Sequence, residues 1–130
     1  MFIDSSALVA ILLGESDNVE LRAKLKKSRR YTSTIVVYES ALAVARNNNK
    51  PLLEAASTVT DLLKAFRVQI VSIDLRHTSA ALTAFEQFGK GRHPAKLNMG
   101  DCFSYACARV LKAKLLFKGN DFGQTDIEIA

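Results

Sequence analysis

Met1-Phe2-Ile3-Asp4-Ser5-Ser6-Ala7-Leu8-Val9-Ala10-Ile11-Leu12-Leu13 opens the chain, and its reading sets the fold class. Met1 to Ile3 reads as a very short buried strand that ends at Asp4. Ser5 to Leu13 is mostly apolar and reads as a buried helix. A buried strand passing directly into a helix is the first half of a βαβ unit.

The same alternation continues outward from that stretch. Ser16 to Lys27 is expected to be helical. Val19, Leu21, Ala23 and Leu25 alternate like a strand, but Glu, Leu, Arg, Ala and Lys are strong helix formers. Tyr31 to Ser33 reads as a short strand and Ile35 to Arg46 as a helix. Pro51 to Phe66 is the clearest helix. Leu52, Ala55, Ala56, Val59, Leu62, Leu63 and Phe66 follow 3-and-4 spacing, and Pro51 suits a first turn. Val68 to Ile73 is apolar and β-branched, and is expected to be a buried strand. Leu75, Ala81, Leu82, Phe85 and Phe88 mark another helix, and Asp101 to Lys112 a further one. Lys114 to Phe117 and Asp126 to Ile129 read as the last two strands. The expected loops are Ser28 to Thr32, Asn47 to Lys50 and Gly89 to Met99, none long enough to link domains. The fold class is therefore α/β, with a parallel sheet covered on both faces and residues 1–130 forming one domain.

Composition agrees. The 130 residues are 48% hydrophobic and 24% charged, which suits one compact domain and excludes disorder. The longest apolar run, Ala7 to Leu13, is seven residues, against about 20 for a membrane span. The early acid and the lack of a basic leader argue against a secretory signal, so a cytoplasmic protein is expected. Cys102 and Cys107 are expected to be buried, reduced thiols on different sides of one helix. Eighteen Lys and Arg against thirteen Asp and Glu leave a net charge of +5, which favours an anionic partner.

Open α/β sheets place their sites at the carboxyl ends of the strands, and three acids fall there. Asp4 follows the first strand, Asp121 follows Leu115-Leu116-Phe117 within a few residues, and Asp101 opens a helix. Glu39 lies inside Ile35-Val36-Val37-Tyr38-Glu39-Ser40-Ala41-Leu42-Ala43, where an uncompensated carboxylate is costly. Each has a plainer reading: Asp4 as a helix cap, Asp101 as a first-turn acid favoured by the helix dipole, Asp121 as a turn residue. If the four converge, two carboxylates about 5 Å apart repel by roughly 3 kcal/mol at an effective dielectric near 20. Hard divalent cations with oxygen ligands, Mg2+ or Mn2+, are the natural counter-charge. Such ions can activate water and stabilise both oxygens of a phosphodiester displacement. Neither His77 nor His93 has a catalytic neighbour in sequence, and both are expected to face solvent.

Four segments together resemble a known family. They are Phe2-Ile3-Asp4-Ser5-Ser6-Ala7-Leu8, Val37-Tyr38-Glu39, Leu97-Asn98-Met99-Gly100-Asp101-Cys102-Phe103-Ser104-Tyr105-Ala106 and Phe117-Lys118-Gly119-Asn120-Asp121-Phe122. In order and spacing the set is similar to PIN-domain nucleases, and more narrowly to VapC-type toxins of toxin–antitoxin modules. The resemblance implies a Rossmann-like three-layer α/β/α sandwich with a mainly parallel central sheet. It implies Mg2+- or Mn2+-dependent endoribonuclease activity, with Asp4, Glu39, Asp101 and Asp121 as the acidic quartet. Ser6 matches the small hydroxyl residue two after the first acid, and Asp126 a further acid that serves equally well as a turn or cap. It also implies RNA as substrate, a homodimer, and a cognate antitoxin that offsets the acidic charge with a basic side chain. One departure is the start, where only three residues precede Asp4.

Two basic groups are candidates for holding phosphates: Arg22 to Arg30, with six cations in nine residues, and Lys90, Arg92, His93 and Lys96 just before Asp101. The plainer reading of the first is a solvated helix face. Phe103 and Tyr105 are expected in the core rather than as stacking platforms. Two other functions fit less of the chain. A PIN fold that binds RNA or a partner without cutting has the presence of all four acids against it. A phosphorelay receiver would use Asp74 and Lys118, but leaves Glu39 unexplained.

Overall fold

The computed structural model describes all residues 1–130. Its elements are β1 (Phe2–Ile3), α1 (Ser5–Leu12), α2 (Asn18–Leu25), β2 (Tyr31–Ser33), α3 (Thr34–Asn48), α4 (Leu52–Ala65), β3 (Gln69–Val71), α5 (Leu75–Phe88), α6 (Met99–Val110) and β4 (Leu115–Leu116). A 3₁₀ turn follows at Phe122–Gln124. The four strands form one parallel sheet in the order β3-β2-β1-β4, with Phe2 opposite Tyr31 and Leu115, and Ile3 opposite Leu116. Six helices cover the sheet, α5 packed along α6 and α3 along α4, in the three-layer α/β arrangement expected.

Strands as short as β1, central in the sheet, and β4, at its end but bridged to Ile129, hold because both are fully buried. Phe2, Ile3, Leu115 and Leu116 are all but sealed from solvent, and each such side chain contributes about 1.5–3 kcal/mol on burial. The parallel ladder is extended at both ends, by Phe2 N–H to Lys114 O (2.7 Å) and Asp4 N–H to Leu116 O (2.9 Å). That last bond brings the carboxyl ends of β1 and β4 together, and with them the segments carrying Asp4 and Asp121.

Three expectations are corrected. The stretch from Val68 to Ile73 is not a buried strand: β3 is one edge of the sheet, and Ile70 is 51% exposed. An apolar β-branched run does not say how many neighbours it has. Asp126 to Ile129 does not form a strand; a single parallel bridge, Leu115 to Ile129, is made. The two-residue β4 offers too short a ladder, and Asp126 is held away by Tyr105. His77 is 4% exposed rather than solvent-facing. Its Nδ1 accepts from the Asp74 amide (3.1 Å) in a capping box that starts α5. As expected, Cys102 and Cys107 are buried free thiols, and Tyr105 is in the core with Phe103 partly buried beside it.

Candidate metal centre

Asp4 caps α1. Its Oδ2 accepts from the Ser6 amide (2.9 Å) and the Ser6 hydroxyl (2.6 Å), and Ser6 Oγ accepts in turn from the Lys118 amide (3.0 Å). The side chain is 2% exposed, yet its second oxygen, Oδ1, is buried with no partner. A buried carboxylate oxygen left unpaired is costly.

Asp101 stands in the first turn of α6. The helix begins at Met99, two residues before the expected start, because Asn98 caps it. Asn98 Oδ1 accepts from the Asp101 amide and Asp101 Oδ2 from the Asn98 amide, both at 2.9 Å. Burial pushes the Asp101 carboxyl up to about 6, and the charges of Asp4 and Asp121 push the same way against the Asn98 bond. Glu39, half-buried midway along α3, is also raised, first by burial and then by Asp4 and Asp101, with the Ser5 hydroxyl opposing. Asp121 is exposed in the turn after β4 and acts on the group through its charge on Asp101. The fold thus brings Asp4, Glu39, Asp101 and Asp121 into one electrostatic group.

Gly100 makes that proximity possible, and its part is not evident from sequence alone. A Cβ there would overlap the Glu39 carboxyl, lying 2.6 Å from Cδ and 2.8 Å from Oε2. The signal was a glycine inside a helix, next to an acid, where alanine is the better helix former. No three His, Cys, Asp or Glu side chains close around one point, so the quartet is an open set. Two of its oxygens, Asp4 Oδ2 and Asp101 Oδ2, serve helix caps. The all-oxygen donor set and the unpaired Asp4 Oδ1 fit a hard divalent cation.

The other expected residues lie outside this group. Asp126 Oδ1 accepts from the Tyr105 hydroxyl (2.6 Å), and Arg109 approaches its other oxygen. Burial and that bond push the Tyr105 phenol up to about 12. Asp126 therefore ties the chain end to α6. Lys90, Arg92 and Lys96 are exposed on the loop entering α6, around an open hollow of about 510 Å³ with no hydrophobic residue in its lining. Arg92 is engaged by Glu86 and lies over Phe85, whereas Lys90 and Lys96 have no acidic partner. The receiver arrangement is absent. Asp74 is spent on Arg76 and the start of α5 at the edge strand, and Lys118 Nζ is held by Glu15 and Asp17.

A parallel sheet with clustered acids at its carboxyl end defines the class, and the chain belongs to the PIN domain family, whose family model matches residues 1–128. Among its relatives, ribonuclease VapC42 of Mycobacterium tuberculosis is 37% identical over 131 residues, covering 100% of this chain and 98% of the relative. Ribonuclease VapC of Mycolicibacterium smegmatis is 41% identical over 129 residues, covering 98% and 97%. Among solved structures, M. tuberculosis VapC20, described as a sarcin–ricin loop cleaving toxin, superposes with a TM-score of 0.78 at 16% identity, covering 99% of this chain and 97% of that one. A toxin–antitoxin complex from Klebsiella pneumoniae follows at 0.67. At such identity these two speak for the fold. No helix of the chain is long and apolar enough to cross a membrane.

Proposed function

We propose that residues 1–130 act as one catalytic domain, a metal-dependent endoribonuclease serving as the toxin of a toxin–antitoxin pair. The observation that carries this reading is the buried, unpartnered Oδ1 of Asp4 within the group of acids that raises Glu39 and Asp101. Asp4, Glu39, Asp101 and Asp121 would hold Mg2+ or Mn2+. When bound, the ion supplies counter-charge and a more acidic water for hydrolysis of a phosphodiester. The chain's own residues supply the positioning. Ser6, braced by the Lys118 amide, turns Asp4 so that Oδ2 is occupied and Oδ1 free. Asn98 orients Asp101 in the same way, and Gly100 leaves room for Glu39. Lys90 and Lys96, cationic and unpaired by acids, would receive RNA phosphates.

Ribonuclease names among relatives of equal length support RNA as the substrate class. The exposed apolar side chains support protein partners. Leu53 is 84% exposed beside Tyr38, Leu42 and Leu52 in an α3–α4 groove, and Leu82 and Met99 border one between α5 and α6. A cognate antitoxin and a second copy of the chain are the proposed occupants.

The test is cleavage of mixed cellular RNA by wild type, Asp4→Asn and Asp101→Asn, with Mg2+ and with EDTA. Discrete fragments that require the ion and both acids are expected. Wild-type turnover by either folded variant refutes the site, and RNA binding by wild type without cleavage replaces the nuclease reading by a binding one.

A further inference from the structure

Three of the four strands of the sheet are entered through cationic residues. Lys112 and Lys114 precede β4, Arg29 and Arg30 precede β2, and Arg67 precedes β3. The hydrogen bonds Phe2 N–H to Lys114 O, Tyr31 N–H to Met1 O and Gln69 N–H to Arg30 O place these entries side by side. With strands about 4.8 Å apart, the edge is roughly 14 Å wide. Lys26 and Lys27, just past the end of α2, extend it. Lys24, Lys27, Ser28 and Lys114 line a hollow of about 450 Å³ there. Because the sheet is parallel, this edge is opposite to the acidic quartet.

Structure also revises the basic run at Arg22 to Arg30. Arg22 donates to Ile11 O and Arg30 to Leu25 O, while Lys24 pairs with Glu20. Lys26, Lys27 and Arg29 are exposed and make no ion pair, and neither do Arg67 and Lys112 brought from elsewhere in the chain. Arg67 and Lys112 follow the ends of α4 and α6 with φ of 50° and 51°. Glycine is the inexpensive residue in that conformation, and any other costs about 1–2 kcal/mol. The helix dipole returns about 0.3–1 kcal/mol to a cation there, so it does not by itself account for the choice.

We propose that this edge is a docking surface for double-stranded RNA, separate from the cleavage site. The choice of RNA rests on the function proposed above; the surface does not. Five unpaired cations on an exposed edge suit a phosphate backbone. The large exposed aromatics, Tyr38 and Phe85, lie elsewhere, so bases of a single strand find no stacking platform. The edge would hold the body of a folded RNA while a non-helical segment reaches the acids.

The test is fluorescence anisotropy in EDTA, where cleavage cannot occur. Its probes are an RNA hairpin duplex, a single strand of equal length, and vesicles containing phosphatidylserine. Wild type and Asp101→Asn should bind the duplex alike and more tightly than the other two. The Lys26→Gln, Lys27→Gln, Arg29→Gln triple variant should weaken binding about tenfold or more, and reduce the slope of log K against log salt by about 3. Lys112→Gln should reduce it by about 1. Circular dichroism checks that the exposed substitutions leave the fold intact. Duplex binding unchanged in the triple variant, or equal capture of vesicles and duplex, overturns the proposal even if the protein proves to be a nuclease.

Discussion

Replacing Gly100 with alanine sets a methyl group where the Glu39 carboxyl lies, 2.6 Å from its Cδ. The backbone accepts the change, since Gly100 is helical and not among the positive-φ glycines. What must move is the end of a flexible side chain. Alanine gains up to about 1 kcal/mol over glycine in a helix, less in a first turn. Glu39 also leaves a neighbourhood that disfavours its charge. The metal-free variant should therefore be no less stable than wild type, with a midpoint raised by up to about 3–5 °C. Cleavage should fall by about 10- to 100-fold, the cost typical of disturbing a metal ligand's placement. Half-maximal activation should need more Mg2+. Thermal unfolding in EDTA, Mn2+ binding followed by electron paramagnetic resonance, and cleavage rates read the three effects. A Gly100→Ala, Glu39→Ala double variant isolates the cause. Once Glu39 is truncated, the alanine should cost no further activity. Wild-type rates in Gly100→Ala, or an undiminished loss in the double variant, refute the argument that Gly100 acts through Glu39.

Two further outcomes follow from the titrating groups. In metal-free protein, Asp101 holds its proton up to about pH 6 in the fold, against an ordinary 3.8. The folded state thus binds more protons between about pH 4 and 6, and stability falls as pH rises through that window. The full gap corresponds to about 3 kcal/mol, and about half that for a carboxyl still partly open to solvent. Urea unfolding at pH 5 and 7.5 should show the loss in wild type and a flattened profile in Asp101→Asn; an equally steep profile in the variant counts against it. Cys102 and Cys107 are both pushed up to about 11, by burial and, for Cys102, by Asp101 as well. Neither should react with an aromatic disulfide at pH 8 in the native protein, and both should in denaturant. Rapid native labelling would contradict their burial.

How much was legible in sequence depended on range. β1, β4 and the helix from Pro51 to Phe66 were readable because apolar composition and spacing are local properties. Asp4 and Asp101 were readable for the same reason, each marking where a strand or loop meets a helix. The exposure of β3 was not, because Ile70 in an edge strand and Ile3 in a central one are the same residue type. His77 read as solvent-facing because its partner is the amide of Asp74, and a backbone group leaves no mark in a sequence. Asp126 looked like one more acid until Tyr105, twenty-one residues earlier, was seen to hold it. Gly100 gained its meaning only when α3 laid Glu39 across it.

The short ladder between β1 and β4 has a consequence for when the four acids come together. β1 is made first and β4 last among the strands, yet they are neighbours, and Asp4 is oriented through Ser6 by the amide of Lys118. A ribosome must release Leu115 to Asp121 before the first acid is held and the last is in place. The growing chain therefore lacks both the Ser6 brace on Asp4 and Asp121 itself until β4 and the turn after it have been made.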